Sequence, residues 1–179
     1  MDAVSRAIWE ERMTNLNNRR AKEKIFNSVP GVDNYCSHLQ RIEVGHSLLD
    51  VGCGDMKLQT CLPEVVRYVG IDPYPEYSGG KAIKMEMEEC TFKDNEFETV
   101  CMFMALDSVY DFKKTIHHIK RVCSKNVLFL TGVNIEVNEF HTYNITEAAL
   151  IQEMKPMKAG VIHYFHPKIL LIEFTNEGT

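Results

Sequence analysis

A glycine turn between two carboxylates is the part of the sequence with the clearest chemical meaning. Asp50 precedes Gly52-Cys53-Gly54-Asp55 in one predicted strand and turn, and Asp72 ends the next predicted strand, 22 residues after Asp50. Two glycines at a sharp turn let the backbone approach a ligand without interference from Cβ atoms. An acid at this interval is typical of nucleoside-binding folds, where one carboxylate accepts hydrogen bonds from the ribose hydroxyls. Each such charge-assisted bond contributes about 1.5 to 3 kcal/mol.

The residues after the turn bear on the charge of that ligand. A dinucleotide site has a third glycine where the following helix opens, whereas Asp55, Met56 and Lys57 follow Gly54 here. Asp55 would repel a pyrophosphate, so the acidic turn favours a cationic ligand. Because an alternating glycine turn also occurs for structural reasons alone, the inference depends on the second acid, Asp72.

Alternating strands and helices must position these residues. Strands are predicted over 47–51, 65–71, 82–85, 97–104 and 126–131, and helices over 2–27, 32–43, 56–62, 112–123 and 147–155, the last capped by Thr146. Strands separated by helices form a parallel sheet with helices on both faces. The last two runs, 161–165 and 168–175, are separated only by His166-Pro167, which predicts an antiparallel hairpin. The fold class is therefore α/β.

The ordered motifs resemble those of class I S-adenosylmethionine-dependent methyltransferases. Residues 48–55 (LLDVGCGD) resemble the glycine-rich first motif of that family, and residues 68–72 (YVGID) resemble its acidic second motif. Residues 92–100 and 105–109 are similar to the segments around its fourth strand, and the helix at 116–122 ends in the usual Arg-Val. The resemblance covers about residues 44–132. It implies a Rossmann-like three-layer sandwich with a seven-stranded sheet, S-adenosyl-L-methionine as cofactor, and methyl transfer.

The resemblance implies roles for the residues around the turn. Asp50 would orient the turn, and Gly52, Cys53 and Gly54 would pass beneath the methionine portion of the cofactor. Asp72, with Pro73 beside it, would hold the ribose. Met56 departs from the family pattern, because it stands where a third glycine is usual.

The resemblance also implies contacts to the adenine and to the sulfur. Glu86 would meet the adenine amino group, and Met87 would offer its backbone amide to the ring. Glu86 is one methylene longer than the usual aspartate, so Glu88 or the residue after it takes this role if the register differs by two or three. Phe103 and Met104, at the end of the fourth strand, would flank the methionine end and its sulfonium.

Methyl transfer needs few catalytic side chains, because aligning the two reactants for in-line displacement supplies much of the reduction in the barrier. If the acceptor is a hydroxyl or a protonated amine, Asp107 is the first candidate for a catalytic base, since resembling enzymes often carry histidine in that region. Asp107 alternatively caps the following turn or bonds Ser108. Four further residues lie on segments that border the expected acceptor pocket, more as wall or surface than as base: His141, Tyr143, His163 and Tyr164.

The expected acceptor is small or medium-sized and offers an oxygen or nitrogen atom. The segment 132–160 is too short to build a large cap, so we expect an open pocket or a lid from residues 1–30. This openness also permits a protein side chain, or a sugar in a larger molecule, as acceptor. One alternative is RNA ribose methylation, for which Lys24, Asp107, Lys155 and Glu173 occur in the required order. Another is a non-catalytic module that binds S-adenosylmethionine. The helix containing Trp9 is a candidate lid over the pocket.

Composition limits the remaining choices. Twenty Lys and Arg against 25 Asp and Glu give a net charge of −5 in 179 residues, which argues against broad affinity for nucleic acid. The sequence shows no apolar run long enough to span a bilayer, no secretory signal and no metal-ligand spacing, so we expect a cytoplasmic protein without a metal. We expect one domain, with a lid region at 1–30, a cofactor-binding core at 44–132 and a C-terminal helix and hairpin at 133–179. The sequence leaves the oligomeric state open.

Overall fold

The computed structural model describes residues 5–23, 39, 42–62, 65 and 67–176. Most of the helix predicted over 32–43 lies outside these residues, as do the ends of the helix predicted over 2–27. The described part of the first helix, α1, runs from Arg6 to Glu23. No helix in the described ranges combines the length and the apolar character that crossing a bilayer requires.

A seven-stranded sheet forms the centre of the molecule, with the order β3-β2-β1-β4-β5-β7-β6. The strands are β1 (Ser47–Val51), β2 (Arg67–Asp72), β3 (Ile83–Lys84), β4 (Phe97–Phe103), β5 (Cys123–Gly132), β6 (Lys158–His166) and β7 (Ile169–Thr175). The neighbours from β3 to β5 are parallel, whereas β7 runs antiparallel to both β5 and β6. The predicted mostly parallel α/β sheet with an antiparallel C-terminal strand is confirmed.

Within the described ranges, three shorter α-helices follow: α2 (Leu58–Cys61), α3 (Phe112–Val122) and α4 (Glu147–Met154). Asp111 caps α3 by accepting the Lys114 backbone N–H at 3.0 Å. Thr146 caps α4 by accepting the Ala149 backbone N–H at 3.1 Å, which confirms the predicted cap. Such caps satisfy backbone donors that the first helical turn leaves unpaired.

Two apolar clusters cover opposite faces of the sheet, because successive side chains of a strand alternate between faces. Leu49 and Phe129 belong to the cluster that packs against α3 and α4. Leu48 and Leu128 belong to the cluster that contains Leu58 of α2. The result is the predicted three-layer sandwich, in which the core is continuous from β2 to β7.

The strand order reverses between β1 and β4. From β1 the chain proceeds through β2 to β3 on one side and then returns to build β4 and β5 on the other. In open α/β sheets, such a switch point opens a crevice at the carboxyl ends of the strands, where ligands bind. The glycine turn after β1 and the residues after β4 both lie at this crevice.

Candidate functional site

A cleft lies at the switch point, beneath α1. Nine residues predicted from the sequence to bind the cofactor line it: Gly52, Gly54, Asp72, Pro73, Glu86, Met87, Glu88, Phe103 and Met104. The other three predicted site residues, Asp50, Cys53 and Asp107, are buried outside the lining. The fold therefore brings most of the predicted set to one place and puts the remainder behind it.

The turn after β1 requires glycine at two positions. Gly52 has φ +69° and Gly54 has φ +51°, which lie in the left-handed region that L side chains rarely adopt. A Cβ atom on Gly52 would lie 2.7 Å from Cβ of Ala105. The backbone N–H groups of Gly52 and Cys53 both donate to the Ile71 carbonyl, at 2.9 and 3.2 Å. The turn is thus held against the end of β2 and presents bare backbone to the cleft.

Met56 adopts a conformation that suits glycine. Its φ is +60°, in the left-handed region, at the position where the resembling family usually has its third glycine. The chain thus adopts at Met56 a backbone conformation that glycine reaches without strain. A non-glycine residue in this region costs about 1 to 2 kcal/mol.

Asp72 faces the cleft opposite this turn with an oriented carboxylate. Its Oδ2 accepts the Gly54 backbone N–H at 3.0 Å, and its Oδ1 accepts the Tyr74 backbone N–H at 2.7 Å. Two backbone donors fix the orientation of the carboxylate, and each oxygen can accept a further hydrogen bond. This geometry suits a carboxylate that receives ligand hydroxyls.

Asp50 and Cys53 lie beneath the turn rather than in the cleft. Asp50 is 3% exposed and accepts a hydrogen bond from the Tyr68 hydroxyl. Burial raises the pKa of Asp50 to about 7, with a smaller opposing effect from the Tyr68 bond. Cys53 occupies space that a Cβ on Gly70 would fill, since its Sγ would lie 2.8 Å from that atom. Burial also raises the pKa of the Cys53 thiol, which disfavours the reactive thiolate form.

An ion pair that the sequence did not predict occupies the expected adenine end. The Arg6 guanidinium donates from Nη1 to Oε2 of Glu86 at 2.8 Å and from Nη2 to Oε1. It also lies 4.9 Å from the Trp9 ring centroid and 5.0 Å from that of Tyr110. The hydrogen bonds to Glu86 raise the pKa of Arg6 further above its usual range. The acid that the resemblance assigns to adenine is thus paired with α1.

Glu88 makes contacts of a different kind. Its Oε1 accepts the backbone N–H groups of Tyr110 and Asp111, at 3.0 and 3.1 Å. Burial raises the pKa of this carboxyl group. The Glu88 side chain therefore holds the segment that leads into α3, whereas Glu86 alone of the two presents its carboxylate toward α1.

The end of β4 forms the opposite wall of the cleft. Phe103 and Met104 are half-buried and line it. Met104 has φ +54°, and its backbone N–H donates to the Leu130 carbonyl at 2.6 Å. Left-handed backbone at a non-glycine residue is uncommon and concentrates at functional sites. It directs the chain away from β4 directly beside the glycine turn.

Helix α1 forms the roof of the cleft through Trp9, Met13, Leu16 and Asn17. The first three are buried and pack with Tyr74, Tyr110 and Phe140. The Trp9 indole N–H donates to the Ser108 carbonyl at 2.8 Å, which ties the roof to the segment after β4.

Asp107 pairs with His141 rather than with Ser108. Its Oδ2 lies 2.5 Å from Nδ1 of His141, and its side chain is 3% exposed against 29% for the histidine. The Ser108 hydroxyl instead donates to the Phe140 carbonyl at 2.9 Å. No local pattern predicts this pair, because its members are 34 residues apart.

The other candidates lie away from the cleft. His163 and Tyr164 belong to β6, and the Tyr164 hydroxyl donates to Glu147. Glu173 bonds Asn126, whereas Asp107 lies against Gly132, six residues further along β5. Six strand residues span about 20 Å, so these two members of the Lys-Asp-Lys-Glu set are apart, and Lys24 lies outside the described residues. Within the described ranges, no group of three or more His, Cys, Asp and Glu residues is arranged to hold a metal ion.

Comparisons with known proteins match this architecture. A family model described as a methyltransferase domain matches residues 19–170. The structure of the DhpI-SAH complex has a TM-score of 0.74 at 15% identity, covering 96% of this chain and 98% of that chain. A SAM-dependent methyltransferase from Aquifex aeolicus has a TM-score of 0.66 at 15% identity, covering 88% and 97%.

A third solved structure is a SAM-dependent methyltransferase from Thermotoga maritima, described as a possible histamine N-methyltransferase. It has a TM-score of 0.62 at 13% identity, covering 94% of this chain and 98% of that chain. A search of curated proteins finds no match. At these identities, the structural likeness concerns the fold.

Proposed function

The chain belongs to the methyltransferase-domain family and has the fold of S-adenosylmethionine-dependent methyltransferases, and from this premise we propose that it methylates an oxygen or nitrogen of a small or medium-sized acceptor. The observation that carries the proposal is the convergence of the glycine turn, Asp72 and Glu86 on one cleft at the switch point of the sheet. When bound, S-adenosylmethionine supplies an electrophilic methyl group on a positively charged sulfur.

The residues of the cleft fit this cofactor. Asp72 is oriented by two backbone donors and would accept the ribose hydroxyls. The backbone of Gly52 and Gly54 would lie beneath the methionine portion. A Cβ atom on Gly52 would clash with Ala105, and at both positions a side chain would strain the left-handed backbone. Asp55 and Asp72 line the cleft and place negative charge where a cationic ligand would bind, whereas the charge of Glu86 is balanced by Arg6.

Helix α1 would act as a lid over the bound cofactor. Its buried face already lines the cleft, and the Arg6–Glu86 pair and the Trp9–Ser108 hydrogen bond fasten it to the core. If Glu86 accepts the adenine amino group, Arg6 must share that carboxylate, whose oxygens can each accept more than one hydrogen bond. Closure of this helix would exclude water from the cleft and strengthen the electrostatic contacts to the cofactor.

The elements around the cleft support the proposed acceptor size. The roof is α1, and the connection between β5 and α4 is the 14-residue segment 133–146, which holds no described helix or strand. In the described part of the chain, α1 is the helix that roofs the cleft, and the group that reacts must fit beneath it.

Titration calorimetry with S-adenosylmethionine tests the cofactor assignment. We expect the wild-type protein to bind, and Asp72→Asn to bind about 10- to 150-fold more weakly, since one charge-assisted bond contributes about 1.5 to 3 kcal/mol. Asp94→Asn is the matched control, because Asp94 is exposed and pairs with Arg121 away from the cleft. Absence of binding to the wild-type protein, or equal binding to all three, would contradict the assignment.

Labelled S-adenosylmethionine tests turnover. We expect label to enter a compound in the low-molecular-weight fraction of a cell extract when the protein is added. Binding of the cofactor without transfer to any acceptor would instead favour a non-catalytic module.

A further inference from the structure

We propose that His141 is the general base that deprotonates the methyl acceptor and that Asp107 is the positioning residue that orients its imidazole. The acceptor would then be a molecule whose reacting oxygen or nitrogen carries a proton, such as a hydroxyl or an ammonium group, and not a carboxylate. This inference rests on the proposed methyltransferase function and deepens it.

Burial decides between the two residues of the pair. The Asp107 side chain is 3% exposed, so its carboxylate cannot reach an acceptor that enters from solvent. The His141 side chain is 29% exposed, and Asp107 holds only its Nδ1. Nε2 of His141 makes no hydrogen bond to any residue in the described part of the chain. The carboxylate thus holds one nitrogen and leaves the other available.

The pair lies beside the cleft, at the carboxyl ends of β4 and β5. Asp107 directly precedes Ser108, which lines the cleft, and a Cβ on Gly132 at the end of β5 would lie 3.0 Å from Asp107 Oδ2. On the other side, Phe140 directly precedes His141 and packs with the apolar cluster of α1 that forms the roof. The pair therefore adjoins, along the chain, one residue that lines the cleft and one that packs against its roof.

Backbone hydrogen bonds hold the loop of His141 in place. The Tyr143 backbone N–H donates to the Asp107 carbonyl at 3.1 Å. The Asn138 side-chain oxygen accepts the backbone N–H of His141 at 3.1 Å, and the Asn138 N–H donates to the His141 carbonyl at 3.0 Å. A catalytic group must be held in this manner to contribute, because small misplacements cost large factors in rate.

The hydrogen bond to Asp107 also determines which nitrogen is basic. A carboxylate accepts a proton-bearing nitrogen, so Nδ1 carries the proton and Nε2 carries the lone pair. The same carboxylate stabilises the imidazolium that forms when Nε2 is protonated, as in the triads of serine hydrolases. Charged groups around this loop include Glu136 and Glu139 within it. Arg12 and Arg19 of α1 also face it, because their guanidinium groups contact the Asn138 carbonyl and the Phe140 ring.

In the proposed step, the acceptor oxygen or nitrogen would form a bond to the methyl carbon while the carbon–sulfur bond breaks and its electron pair returns to sulfur. The acceptor proton moves to Nε2 of His141, and the resulting imidazolium releases it to solvent after the product leaves. No oxidant, reductant or metal ion is consumed.

Nuclear magnetic resonance of the ¹⁵N-labelled histidines tests the orientation without any turnover. We expect neutral His141 to be protonated at Nδ1 in the wild-type protein and to lose this preference in Asp107→Asn. His117, which is exposed on α3, is the internal control and should be unchanged. A neutral His141 protonated at Nε2, or no response to Asp107→Asn, would overturn the proposal.

Methyl transfer from labelled S-adenosylmethionine to the low-molecular-weight fraction of a cell extract tests the base. General-base loss costs about 10²- to 10⁴-fold, so we expect this reduction in the rate of label transfer at a fixed amount of extract for His141→Gln, and partial rescue of His141→Gly by added imidazole. His117→Gln should match the wild type.

Calorimetry distinguishes a failure of the His141 proposal from a failure of the proposed methyltransferase function. We expect His141→Gln and Asp107→Asn to bind S-adenosylmethionine within about threefold of the wild type, because neither residue lines the cofactor cleft. Cofactor binding and transfer that survive undiminished in His141→Gln would overturn this inference alone. Absence of cofactor binding in the wild type, or binding without any transfer, would overturn the proposed function and this inference with it.

Discussion

Replacing Gly52 with alanine perturbs the turn that the proposed cofactor site depends on. The substitution has two separate costs that the structure makes distinguishable. One is the backbone conformation, since Gly52 has φ +69°. The other is contact, since the new Cβ would lie 2.7 Å from Cβ of Ala105, closer than such atoms approach.

The magnitudes follow from these two observations. Left-handed backbone at an L residue costs about 1 to 2 kcal/mol, and overpacking of this kind costs about 1 to 3 kcal/mol. We therefore expect Gly52→Ala to lower the free energy of unfolding by about 2 to 5 kcal/mol. Gly79→Ala is the matched control, because Gly79 has φ +64° and no atom within 4 Å of its added Cβ, so it should lose only about 1 to 2 kcal/mol.

Urea denaturation of four proteins measures these terms: the wild type, Gly52→Ala, Gly79→Ala and the double variant Gly52→Ala/Ala105→Gly. Removing the Ala105 Cβ should recover about 1 to 3 kcal/mol in the Gly52→Ala background, because it relieves the contact and leaves the conformational cost. Equal losses for Gly52→Ala and Gly79→Ala, together with no recovery in the double variant, would refute the proximity of the turn to the segment after β4.

Two further predictions concern a buried acid and the lid. Burial raises the pKa of Asp50 from 3.8 to about 7, so the folded protein keeps a proton that the unfolded chain releases, and wild-type stability should fall between about pH 4 and pH 7. Asp50→Asn should remove this pH dependence, so its free energy of unfolding should rise relative to that of the wild type by up to about 4 kcal/mol between pH 4 and pH 7. Urea midpoints that shift in parallel with pH for both proteins would contradict this prediction. Arg6→Gln breaks the pair with Glu86 that fastens α1 to the core. We expect cofactor to dissociate about fivefold faster, because a solvent-accessible ion pair contributes about 1 kcal/mol. Stopped-flow fluorescence of Trp9, the only tryptophan in the chain, would report the change, and an unaltered dissociation rate would exclude a fastening role for Arg6.

The sequence predicted the elements whose causes are local. Runs of β-branched and apolar residues marked β1, β4 and β5, and the Thr146 cap marked the start of α4. β6 begins at Lys158, three residues earlier than predicted, because Lys-Ala-Gly has no strand pattern of its own and is ordered by pairing with the end of β7. Local preference and tertiary pairing therefore set different parts of the same hairpin.

The candidate site likewise contains features set by local motifs and features set by contacts between distant residues. The glycine turn and Asp72 could be predicted, because both follow from short motifs at strand ends. The Arg6–Glu86 and Asp107–His141 pairs could not, because their members are 80 and 34 residues apart and meet only in the folded chain. The left-handed backbone of Met104 could not be predicted either, because methionine has no preference for that conformation.

A crystal structure of the protein with S-adenosylhomocysteine tests the central claim most directly. We expect the ribose hydroxyls to bond Asp72, the sulfur to lie between the glycine turn and Met104, and the adenine to approach Glu86 while the Arg6 guanidinium shares that carboxylate. A ligand bound elsewhere, or a ribose that makes no contact with Asp72, would contradict it.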